Sequence, residues 1–123
     1  MARKIDSSTG MHLARKAVAD GIDSLTRGDL TTLSRFLLEE MKERHPGRSV
    51  EIRVPYAGAT QAITGPEHRR GTPPNVVELS AETWVGLCLG LKSWTEEIAA
   101  GKVDASGSRA DLSEHLPLLR VGK

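Results

Sequence analysis

The sequence predicts an α+β domain with a mainly antiparallel sheet, on three observations. Two stretches before residue 45 repeat their apolar residues at intervals of three and four, the period of a helix with one buried face. Val50, Ile52 and Val54 then alternate with Glu51 and Arg53, the period of a strand with one wet face. The segment Val76–Gly107 finally reads strand, helix, helix, strand, with Gly at the joints.

The first helix is expected between Ser7 and Leu25, where Met11, Ala14, Val18, Ile22 and Leu25 form a narrow, Ala-rich stripe. Ser7, Ser8 and Thr9 supply N-cap candidates. Gly10 and Gly21 weaken the helix, so its end or a break is expected near Asp20. The narrow face suits close packing on another helix, and docking on a second copy as a homodimer is one use for it. After a turn at Thr26–Asp29, with Asp29 as cap, Leu30–Arg44 is the clearest helix. Leu33, Phe36, Leu37 and Met41 share its apolar face, opposite Arg35, Glu39, Lys42 and Glu43. His45-Pro46-Gly47 stops it, since Pro disfavours helical geometry at the residue before it.

Ser49–Pro55 is the first strand and Ala59–Thr64 its hairpin partner, through Tyr56-Ala57-Gly58. Gly65–Asn75 carries three Pro and two Gly, which exclude helix or a central strand. Val76–Leu79 is the third strand. Ser80 caps a helix over Ala81–Leu89, with Glu82 at its positive end. Trp84, Leu87, Cys88 and Leu91 fall on one stripe, and Gly90 fits a left-handed end. Ser93 with Glu96 is a capping box that starts a second helix at Trp94, with Ile98 as its main apolar contact and Gly101 as its stop. Lys102–Ser106 is the last strand. Asp111 and Glu114 open a short turn that Pro117 ends, with Leu112, Leu116, Leu118 and Leu119 closing over apolar neighbours.

The totals bound the function. At 123 residues the chain supports one core without disulfides or metals, so a single domain is expected over 1–123, with flexible ends at 1–6 and 121–123. Seventeen Lys and Arg stand against sixteen Asp and Glu, and the signs interleave. That balance excludes the basic surplus of a nucleic-acid binder. Phe36, Tyr56, Trp84 and Trp94 are too few for a base-stacking platform. Cys88 is the single cysteine, so no internal disulfide forms. No run has signal-peptide character or the ~20 apolar residues of a membrane span, and the expected location is the cytoplasm.

No catalytic motif stands out. His12, His45, His68 and His115 are scattered without ligand spacing, so no metal is expected and no cofactor is implied. The glycines of Gly65–Gly71 lack the Lys-Ser ending of a phosphate loop. Two groups of residues remain as site candidates. Trp84, Leu87, Cys88, Leu91, Trp94, Ile98 and Leu116 would form an apolar pocket wall, or else plain core filling. His68, Arg69 and Arg70 would hold a carboxylate or phosphate head group, or else lie in a solvated loop.

The run ELSAETWVGLCLGLKSWTEEIAAGKVDASGSRADLSEHLPLL resembles the second half of the sterol carrier protein fold. The matching pieces are Leu79-Ser80-Ala81-Glu82, Gly101-Lys102-Val103 and Ser106-Gly107. With RSVEIRVPYAGATQAITGPEHRRGTPPNVVE, the chain is similar to the small bacterial sterol-carrier orthologues over about residues 30–121. It also resembles the C-terminal domain of thiol-dependent maleylpyruvate isomerases. The resemblance implies a curved sheet of about five strands, helices on one face, and an apolar tunnel for a lipid-like molecule. The implied function is non-enzymatic binding of an apolar small molecule. The alternative is an accessory module for a separate helical, metal-dependent enzyme domain.

Overall fold

The computed structural model describes residues 4–65 and 75–122. Helix α1 spans Ser7–Asp20 and is capped by Asp6, whose carboxylate accepts from the Thr9 N–H at 3.3 Å. The cap therefore lies one residue before the Ser-Ser-Thr run, where a full charge meets the positive helix end. The helix stops at Asp20 because Gly21 turns out of it at a φ of 92°. Gly10 is less a weakness than a seat, since a Cβ there would stand 2.3 Å from the Phe36 ring. Ala14 and Ala17 are fully buried within the chain, whereas Met11, Val18, Ile22 and Leu25 of the expected stripe are only partly buried.

Helix α2 runs Arg27–Arg44 and begins before the expected Leu30. Thr26 is its cap, the hydroxyl accepting from the Asp29 N–H at 3.1 Å, and Asp29 sits in the first turn. Leu33, Phe36, Leu37, Leu38 and Met41 are its buried stripe.

Strands β1 (Val50–Val54), β2 (Gly58–Ala62), β3 (Val76–Leu79) and β4 (Val103–Ser106) form one sheet in the order β2-β1-β3-β4. Among the described residues there are four strands where about five were expected. The β1–β2 and β3–β4 pairings are antiparallel, but β1 and β3 are parallel, Ile52 lying opposite Val77. The hairpin occupies one side of β1, so β3 takes the other and enters in the direction of β1. Val50, Ile52, Val54, Val77 and Leu79 bury one face, with α2 against α3 as its cover. Arg53, Glu78 and Asp104 project from exposed positions between them.

Helix α3 (Ala81–Cys88) is capped by Ser80, and α4 (Trp94–Ala99) by Ser93, each hydroxyl accepting the N–H three residues on. Gly90 and Gly101, at φ of 76° and 75°, take the left-handed conformation beyond the two helices. The chain end returns to α3, where Leu118 and Leu119 donate to the Cys88 carbonyl at 2.8 and 3.0 Å. Leu112, Leu118 and Leu119 are buried by that return. A 3-10 turn, Ser113–His115, precedes it, with the Asp111 carboxylate accepting from the Ser113 N–H at 2.8 Å.

Candidate functional site

The apolar stripe of α3 points inward, and its inward members fill the core. Trp84 and Cys88 expose no surface and Leu87 almost none. The Trp84 indole N–H reaches across to α2 and donates to the Ser34 carbonyl at 3.2 Å, so its polar edge is satisfied in the interior. Burial pushes the Cys88 thiol well above its ordinary range, which makes it a poor nucleophile. Leu91 and Ile98 instead face solvent, and Trp94 and Leu116 are half-buried. The seven candidates thus do not enclose one cavity. Leu87, Trp94 and Leu116 do meet, with Pro117, Lys92 and Arg120, around a surface cleft of about 500 Å³. His68, Arg69 and Arg70 lie outside the described residues.

A larger cleft, of about 680 Å³, opens at the end of the sheet where β1 and β3 terminate and β4 begins. The start of α2 contributes Arg27, Leu30 and Thr31. Pro55 and Tyr56 come from the turn after β1, Leu79 to Glu82 from the junction of β3 and α3, and Gly101 and Lys102 from the entry to β4. Leu30, Pro55, Leu79 and Ala81 make an apolar wall. Arg27 and Lys102 stand at the charged rim with Glu78, Glu82 and Asp104. Glu78 and Asp104 face each other across β3 and β4. None of the five forms an ion pair within the described residues. A molecule with an apolar body and a charged head finds complementary groups here.

The sequence marks this cleft only faintly, because its walls come from four separate segments with no shared period. The Pro55-Tyr56 turn was the one local signal, an aromatic residue where turns favour Gly or Asn. A second feature hidden from the sequence is a contact between His45 and His115, whose rings lie 4.5 Å apart at 62°. No three His, Cys, Asp or Glu side chains gather as metal ligands among the described residues.

The order of elements and the sheet they form agree with a family model described as bacterial SCP ortholog, which matches residues 26–118. The chain belongs to that sterol-carrier-like family. No curated protein matches it. The matched span takes in the sheet, α2 to α4 and the whole lining of the strand-end cleft, and leaves α1 outside. No helix among the described residues is long and apolar enough to cross a membrane.

Proposed function

We propose that this chain binds an amphipathic small molecule in the strand-end cleft and carries out no reaction on it. The carrying observation is the lining, an apolar wall at Leu30, Pro55, Leu79 and Ala81 beneath a rim with Arg27 and Lys102. Its volume of about 680 Å³ suits a ligand of lipid-fragment size, since small-molecule sites run from about 300 to 1,000 Å³. The buried Trp84 ties α3, whose start lines the cleft, to α2, whose start lines it too. Family membership supports an apolar ligand as the class to test first.

The test is titration of the purified chain with cis-parinaric acid, a fluorescent fatty acid, alongside native mass spectrometry for carried-over lipid. One molecule per chain is expected. Leu30→Ser should weaken binding about tenfold while costing only about 1 kcal/mol of stability, because Leu30 is half-buried at the wall. Failure of the wild type to bind, or equal affinity in the variant, would remove the cleft as the site.

The accessory-module reading is favoured by one observation, the exposure of Leu91 and Ile98 around α4. It predicts that Leu91→Ser with Ile98→Ser abolishes association with an enzyme partner and leaves ligand titration unchanged.

A further inference from the structure

Tyr56 is held where its backbone is strained and its side chain has no partner. Pro55 and Tyr56 are the central residues of the turn Val54–Ala57, closed by the Ala57 N–H on the Val54 carbonyl at 3.0 Å. Pro55 suits the second position, but Tyr56 in the third has a φ of 69°. Turns of this hand place Gly or Asn there, because a Cβ crowds the backbone at positive φ. Strain of this kind is commonly offset by burial or by a hydrogen bond. Tyr56 has neither among the described residues, and its exposure is 101% of a fully open tyrosine. Tyr56 nevertheless lines the 680 Å³ cleft, together with Leu30 and Leu79. It also borders a shallower hollow of about 480 Å³ with Arg53, Ala57 and Gly58.

We infer that Tyr56 is a ligand-contacting residue of the strand-end cleft, its ring covering the apolar body of the molecule that lies against Leu30 and Leu79. The inference rests on the cleft being the ligand site and adds a residue-level determinant to it. An aromatic ring presents a large apolar area with little freedom to lose, so a wholly hydrated ring at a cleft mouth gains most when a ligand buries it. Backbone strain held by a residue with no burial or hydrogen bond to offset it is found at ligand-contacting positions. The ligand class that profits is one whose chain or ring system extends to the mouth, with its charged head at Arg27 or Lys102 rather than at Tyr56.

Tyr56→Gly and Tyr56→Phe test this, each titrated with cis-parinaric acid and unfolded with urea. Tyr56→Gly relieves the positive φ, so its urea midpoint should equal or exceed that of the wild type. Its Kd should nevertheless rise about tenfold, while Tyr56→Phe stays within about twofold. A Tyr56→Gly chain binding within about twofold of wild type overturns the inference and leaves the cleft standing, since Leu30→Ser reports on the cleft separately. A Tyr56→Gly chain with a lower urea midpoint overturns the strain argument. A wild type that binds no probe removes the cleft reading, and the role of Tyr56 with it.

Discussion

Trp84 and Tyr56 are the two extremes of one small chain. Trp84 exposes nothing and donates its indole N–H to Ser34, whereas Tyr56 is fully exposed and has no hydrogen bond among the described residues. The first belongs to a helix whose spacing announces which way it points. The second belongs to a turn, where no period exists and only the wrong residue type for a positive φ marks the place. Helical spacing tells direction and says nothing of available space. A large apolar stripe can therefore be entirely filling, while the ligand-sized space opens at a junction of segments that individually look unremarkable in sequence.

The largest effect should come from emptying the filled region. Trp84→Ala removes the largest fully buried side chain among the described residues, together with its indole hydrogen bond to the Ser34 carbonyl. A loss of about 3–5 kcal/mol is expected by urea denaturation, from the cavity and the lost burial together. That is a large share of the stability of a domain this size. A cost below about 1 kcal/mol would mean that the region around Trp84 is already hollow, and the contrast with the strand-end cleft would collapse.

Next comes the seat of α1. Gly10→Ala adds a methyl group where the Phe36 ring already stands, 2.3 Å from the new atom. Moving that ring disturbs the core and should cost about 1–3 kcal/mol, against a gain of at most about 1 kcal/mol in helix propensity. The expected outcome is a lower urea midpoint. A higher midpoint would show that the Phe36 ring gives way freely and that α1 is loosely seated on α2.

The legible parts of the fold were those that local physics decides. The strands at Val50–Val54 and Val76–Leu79, the caps at Ser80 and Ser93, and the stops at Gly90 and Gly101 follow from period and side-chain chemistry within a few residues. Where several capping acceptors competed, the nearest candidates misled. Asp6 takes the cap ahead of Ser7, Ser8 and Thr9, and Thr26 takes it ahead of Asp29. The parallel pairing of β1 with β3 was hidden because strand direction depends on how the long connection returns, which no local pattern encodes. The candidate site was the least legible. Leu87, Trp94 and Leu116 share a shallow cleft, but the larger one is assembled from Leu30, Leu79 and Lys102, each unremarkable in its own segment, and from Tyr56, marked only by its place in a turn.

The smallest effect concerns an aromatic contact intermediate between the two extremes. His45 ends α2, half-buried, with its ring edge-on to His115. Burial lowers its pKa below the ordinary 6.5, and the neighbouring His115 and Arg44 lower it further by disfavouring a second positive charge. The folded chain thus binds this proton less readily than the unfolded chain does. Stability from His45 is complete above 6.5 and is lost as pH falls from there through the lowered value. The wild-type urea midpoint should therefore drop between about pH 7.5 and pH 5, and His45→Gln should flatten that part of the slope. His115→Gln should move the His45 titration, followed by its ring proton resonances, back toward 6.5 because one of its causes is gone. A His45→Gln chain that keeps the full acid slope would assign it to the surface carboxylates instead. The contact would then be mere proximity, too open to water to report burial, and would stand closer to Tyr56 than to Trp84.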